Sequence, residues 1–98
     1  MMELSIDSST RYASVGLSIN GRILQESSWR ADLNHSVELT PAVVRLFEAT
    51  KSTPNDLGAI FVAKGPGGFS ALRVGLSLAK SLASALAIPI VAVGTLSI

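Results

Sequence analysis

The chain of 98 residues contains no cysteine, a single histidine, one Trp, one Tyr and three Phe. Without cysteine there is no disulfide framework and no thiolate metal site, which fits a reducing compartment such as the cytosol. A lone histidine does not furnish an imidazole-based zinc site, and it leaves a Ser-His-Asp arrangement without a nameable orienting carboxylate. His35, flanked by Asn34 and Ser36, is therefore read as part of a helix start. Clustered lysine or arginine is also lacking, and the net charge is +1. An autonomous nucleic-acid site uses a basic stripe interleaved with stacking rings, and nothing of that kind is present.

Charge of either sign is scarce, at 15% of residues, where an average soluble domain has about 25%. The mean hydropathy is +0.47. A chain of this size buries roughly 65% of its unfolded surface and normally clothes the rest with charge. The shortfall predicts an apolar face that a partner or a second domain covers. The final stretch, "VAVGTLSI", reads the same way, as a chain cut in mid-fold. The opening "MMELSIDSS" has an acid at Glu3 and no apolar core segment, so no signal peptide is expected. Residues 82–98 are apolar, but Ser84, Pro89, Thr95 and Ser97 divide them into a helix end, a turn and a buried strand rather than a membrane span.

What is present is ordered hydrophobic pattern. Residues 2–7 read as a strand, and 12–19 alternate with Ala13, Val15, Leu17 and Ile19 on one side. Asn20-Gly21 is a strong two-residue hairpin signal because both residues tolerate positive φ, and 22–29 form the return strand. Leu39, Ala42, Val43, Leu46 and Phe47 follow the helical period. Pro41 either opens that helix after a Thr40 cap or lies kinked inside a longer helix from near Asn34, and the longer helix is preferred. The run 57–64 suits a strand covered on both faces. A helix over 70–87 and a buried strand over 89–93 complete a βαβ unit, with parallel strands and a right-handed crossover.

Between strand and helix lies "GPGGFS", residues 65–70. Glycines at a helix start let a ligand approach backbone amides, which makes Gly65, Gly67, Gly68 and Ser70 a candidate anion site. No lysine follows as in a P-loop, the sixth position of a dinucleotide fingerprint holds Ser70, and Ser70 lacks the flanking glycines of a nucleophile elbow. The same residues also read as a tight corner with Ser70 as N-cap. Asp7, Ser8, Ser9 and Thr10 form a second polar loop. It suits hydrated magnesium and phosphate oxygens, or equally an Asx-type turn.

On the wheel of the second helix, Arg73, Ser77, Lys80 and Ser84 make a polar stripe. Ala71, Gly75, Leu78, Leu82 and Leu86 lie opposite and are expected on the sheet. Leu72, Leu76, Ala79 and Ala83 form a further apolar stripe, and their small members would admit another helix at about 8–10 Å between axes. That stripe predicts either an intermolecular helix contact or cover from the first helix of the same chain.

The stretches "ELSIDSST", "NHSVELTPAVVRLF", "GPGGFSALRVGLSLAKSLASAL" and "IPIVAVGTL" together resemble the N-terminal half of the TsaB (YeaZ) family over nearly the whole sequence. The segment from Gly65 to Gly75 is the specific part of the likeness; the Asp7 loop is shared across the actin, Hsp70 and sugar-kinase superfamily. Where the family loop usually carries Ser-Phe-Thr-Gly after Gly-Pro-Gly, this chain has Gly68-Phe69-Ser70-Ala71. The resemblance implies an α/β, ribonuclease H-like or actin-like ATPase half-domain over residues 1–98, with a five-stranded mixed sheet in the order 3-2-1-4-5. The family's C-terminal half is expected to be missing.

The resemblance also implies a role without chemistry of its own. A TsaD-type partner transfers the threonylcarbamoyl group to N6 of adenosine 37 of tRNA, and a TsaE-type ATPase completes the assembly. The TsaB-like subunit supports them, contacting tRNA only indirectly and pairing with itself when alone. Residues 35–51 and 70–87 would bind the partner, with His35, Leu39, Leu72, Leu76, Ala79 and Ala83 at the interface. No catalytic residue, metal or resident cofactor is implied, and ATP or ADP with magnesium is left as an option at a heteromeric interface. The metallopeptidase label that older relatives carry is rejected, since a second histidine and an acidic cluster are lacking. The alternatives are a nucleotide-binding phosphotransferase of the actin or sugar-kinase type, and a homodimer with no role in modification.

Overall fold

The structure is a computed structural model and describes residues 1–7, 12–30, 35–64 and 69–94. Alternating apolar residues build the first three strands, β1 (Met2–Asp7), β2 (Tyr12–Ile19) and β3 (Arg22–Arg30). They form an antiparallel meander in which Leu4 sits beside Leu17 and Ile6 beside Val15. Asn20 and Gly21 adopt φ of 51° and 84° and close the hairpin, which is the backbone twist that a two-residue turn between strands requires. The N-terminal ammonium donates to Asn20 Oδ1 at 3.0 Å, and the Asn20 N–H donates to the Met1 carbonyl at 3.2 Å. The turn is thereby tied to the start of β1.

Helix α1 (His35–Thr50) contains Pro41 in its interior, so the longer of the two helices expected for this segment forms. Its period buries Leu39, Ala42, Val43, Leu46 and Phe47. Lys51, at φ 54°, ends it. The Ser52 N–H donates to the Phe47 carbonyl at 3.0 Å and the Lys51 N–H to the Glu48 carbonyl at 3.3 Å, satisfying two of the carbonyls a helix end leaves orphaned. After a single turn at Pro54–Asp56, β4 (Leu57–Lys64) runs parallel to β1. Helix α2 (Phe69–Leu86) ends as α1 does, with Ala87 at φ 55° and the Ile88 N–H donating to the Ala83 carbonyl at 3.1 Å. The last strand, β5 (Ile90–Gly94), pairs parallel with β4.

The five strands form one mixed sheet in the order β3-β2-β1-β4-β5. Both helices lie on the face that carries Met2, Leu4, Ile6, Val15, Leu17, Ile60 and Val62, and all of these share one core with the buried sides of α1 and α2. Leu4, Leu17 and Ile60, on β1, β2 and β4 with Leu4 between the other two, have no exposed surface. Trp29 packs on the margin of the core with its indole N–H buried and without a partner among the described residues. The opposite face of the sheet carries Ser5, Ser14, Ser18 and Phe61, and no described element packs over it. On that side Glu3 is buried and accepts a hydrogen bond from Ser18 Oγ at 2.8 Å.

One expectation is corrected here. The last strand is not buried: Val91 and Ala92 are exposed on β5, because β5 is the sheet edge and no described element covers the face that carries Val91.

Candidate functional site

Two regions drew attention in the sequence, and the fold treats them differently. β1 and β4 are adjacent and parallel, so their last residues, Asp7 and Lys64, lie at the same edge of the sheet. The chain runs outward from β1 to β2 and β3 on one side, and through β4 to β5 on the other. The chain order changes direction at the carboxyl ends of β1 and β4, the position at which open α/β sheets bind ligands. Asp7 ends β1, half-buried, in register with Ser14 of β2. Ser70 belongs to the first turn of α2. Ser8, Ser9, Thr10, Gly65, Gly67 and Gly68 lie outside the described residues. Among the described residues no group of three or more His, Cys, Asp or Glu side chains converges as a metal site.

The helix stripe is divided by the fold. Ala79 has no exposed surface, Ala83 is 8% exposed and Gly75 is buried, while Leu78, Leu82 and Leu86 flank them, half-buried against the core. The line that faces inward is therefore 75-79-83, where small residues let α2 lie close to the sheet and to α1. Of the residues expected at a partner interface, Ala79, Ala83 and Leu39 are buried in this chain's own core. The two apolar sets on the wheel are the middle and one flank of a single buried face. Among the stripe's described side chains Leu76 is the exposed one, at 37%. His35 and Leu72 lie within α1 and α2.

The helices also present one apolar residue that the sequence reading passed over. Val44, in the middle of α1, is 50% exposed. The helical period could have revealed it, since the buried set 39-42-43-46-47 leaves position 44 on the outer side. Around Leu76 the surface of α2 carries Ser77, Lys80, Ser81 and Ser84, all exposed. Leu76 and Val44 are thus exposed apolar side chains on the described surface of the two helices. Such residues anchor an interface when a partner desolvates them.

The profile of the family described as tRNA N6-adenosine threonylcarbamoyltransferase (TsaD) matches residues 29–98. The chain belongs to the TsaB–TsaD family. Within it the likeness to TsaB is strong: the tRNA threonylcarbamoyladenosine biosynthesis protein TsaB of Bacillus subtilis is 41% identical over 98% of this chain. This chain spans 42% of that relative's length. The solved structure of YeaZ from Pseudomonas aeruginosa superimposes on 95% of the chain with a TM-score of 0.86 and 31% identity, again over 42% of the longer protein. RuvC of Thermus thermophilus matches 96% of this chain with a TM-score of 0.63 at 15% identity, and the match takes in 64% of RuvC. That likeness shows the fold alone, which is ribonuclease H-like.

Proposed function

We propose that the chain is the N-terminal part of a non-catalytic, cytoplasmic subunit that supports a TsaD-type enzyme in the threonylcarbamoylation of adenosine in tRNA. The observation that carries the proposal is the TsaB likeness across nearly the entire chain. The outer side of the helix layer supports a binding role, with Leu76 and Val44 as its apolar anchors. Acid–base groups are few, with one histidine and seven Asp and Glu in all, which suits a subunit that positions a partner rather than one that moves protons. A TsaE-type ATPase joins the same assembly, tRNA is reached through the partner, and the chain pairs with itself when the partner is missing.

The test is Leu76→Glu. A charge at the centre of a desolvated contact removes the apolar anchor and adds an unpaired carboxylate, a loss of about 2 kcal/mol or more. Affinity for a TsaD-type protein is expected to fall at least thirtyfold, by about the tenfold per 1.4 kcal/mol that governs binding constants. The melting temperature of the isolated chain is expected to stay near that of the parent, because Leu76 is already exposed. If calorimetry finds the complex undiminished, the interface lies elsewhere on the chain.

A second reading, nucleotide binding, is favoured by one observation: the strands that end at Asp7 and Lys64, just before the two polar segments of the sequence, are adjacent and parallel. On that reading ATP with magnesium binds the isolated chain, and Asp7→Ala abolishes the heat of binding. Titration that shows no heat with the parent chain removes it.

A further inference from the structure

β3 is the end strand of the sheet, and no described element pairs along its outer side. Such an edge presents unpaired N–H and C=O groups to any strand that can align with them. The hairpin decides which residues present them. A two-residue turn closes on a hydrogen-bonded pair, here Ile19 with Arg22. Leu24 is left without a partner where the register shifts, a bulge that ends the first part of the strand. Past it, alternation along the ladder turns the backbone groups of Gln25, Ser27 and Trp29 toward β2 and those of Glu26, Ser28 and Arg30 outward. These last three side chains share the face of the sheet that the helices leave open, because they pair with Gly16, Ser14 and Tyr12, which alternate with the core residues of β2. On that face Glu26 lines a groove with Ser5, Asp7, Ser14 and Ser18. Glu26, Ser28 and Arg30 are all exposed. The stretch 25–30 contains neither proline nor lysine, the residues that most often blunt an edge.

We infer that β3 pairs antiparallel with β3 of a second copy of this chain, about a two-fold axis at Ser28. The charges select both the occupant and the register. Charged side chains on an edge strand ordinarily deter pairing, since a foreign strand leaves them unmatched. Glu26 and Arg30 flank Ser28 at equal distances along the strand. With the axis at Ser28, each Glu26 therefore stands directly opposite the second copy's Arg30, and the two Ser28 side chains face each other. Opposite charges and hydroxyl pairs directly across a ladder are both favourable. An axis at Glu26 or Arg30 sets like charges against each other, and an axis at Ser27 or Trp29 leaves Glu26 or Arg30 against Ser28. Arg30 also interacts within its own chain, and the five N–H groups of a guanidinium can serve both. The bulge at Leu24 confines the ladder to the segment after it, so the interface is small and of the transient class. Neither Leu76 nor Val44 takes part. The inference gives a surface to the self-pairing proposed above and rests on that part of the reading alone.

Sedimentation equilibrium of this chain over a range of concentrations reads the pairing constant. Glu26→Arg sets arginine against Arg30 at both ends of the pair, and Arg30→Glu sets glutamate against Glu26. Each variant alone is expected to pair about tenfold more weakly than the parent, or worse. Mixed in equal amounts, the two match every charge and are expected to pair with each other as tightly as the parent does, which misfolded variants would not do. Ser28→Pro removes an N–H that β2 does not use. It is expected to abolish pairing while circular dichroism stays that of the parent. Leu76→Glu is expected to leave pairing unchanged. A parent chain that stays monomeric throughout overturns the inference and the self-pairing together, and leaves the role beside a TsaD-type enzyme standing. Pairing that the two charge variants do not weaken overturns β3 as the surface, and its loss in Leu76→Glu moves the surface to the helices. Weakening in both charge variants with no recovery on mixing overturns the register.

Discussion

Ala79→Glu is expected to unfold the chain at room temperature. Ala79 has no exposed surface and lies on the line along which α2 meets the sheet and α1. A glutamate there must either keep its charge in an apolar contact or take up a proton, and in both cases it needs volume that a close helix–sheet packing does not hold. Burial of an unpaired charge and overpacking are the two mechanisms that produce losses beyond about 4–5 kcal/mol. A domain of this length has on the order of 5–15 kcal/mol in all. Far-UV circular dichroism and a thermal melt check the outcome: a broad, low-temperature transition or none at all. The contrast with Leu76→Glu, three residues earlier on the same helix, gives the comparison its force. One substitution is predicted to remove the fold, the other only the partner. If Ala79→Glu melted like the parent, α2 would be rotated about its axis from the position described, and the stripe Leu76-Ala79-Ala83 would again be available to a partner.

That rotation is where the sequence was least informative. Strand positions were legible because a period of two is unambiguous when one face is packed: Leu4, Ile6, Val15 and Leu17 fall in a single core. The hairpin was legible because Asn-Gly supports positive φ at both positions of its turn. In α2 the pattern offers apolar residues around more than half the circumference, and a wheel shows which residues share a line without saying which line faces in. The alanines mislead for a physical reason. Small residues permit close approach equally well to a foreign helix and to the chain's own sheet, and here the sheet claims them. The ends of both helices were blurred too, because Lys51 and Ala87 occupy the left-handed position where glycine is the usual signal. The open face of the sheet escaped notice because serines at positions 5, 14 and 18 read as solvent-facing residues one strand at a time. They become the floor of a groove only when β1 and β2 are paired. The pairing of the strands that end at Asp7 and Lys64 is likewise a property of strand order, since nothing local says that β1 and β4 are neighbours.

Leu4→Ala is expected to cost about 2–5 kcal/mol, the range for removing a buried leucine from a packed core. Leu4 sits at the crossing of the two halves of the sheet, beside Leu17 on β2 and Ile60 on β4. All three have no exposed surface. The cavity left by the missing side chain borders strands hydrogen-bonded on both sides, which cannot move inward to fill it, so the cost belongs in the upper part of the range. For a domain of this size each kcal/mol lowers the melting temperature by roughly 4–8 °C, so a fall on the order of 15–30 °C is expected. The denaturant midpoint should drop with an unchanged slope, the mark of a native state that is weakened rather than reorganised. Ile23→Ala serves as the reference, since Ile23 is 66% exposed and has little transfer energy to lose. β1 and β4 are also the strands that carry the Asp7 loop and the glycine loop. Any ligand or partner held at the switch point must therefore raise the melting temperature of Leu4→Ala by linkage, to a degree set by its concentration relative to its dissociation constant. A partner seated only on the outer side of the helices stabilises Leu4→Ala in the same way, but its effect is lost when Leu76→Glu is added. Combining the two substitutions thus separates a nucleotide at the strand ends from a protein on the helix layer, using stability alone as the readout.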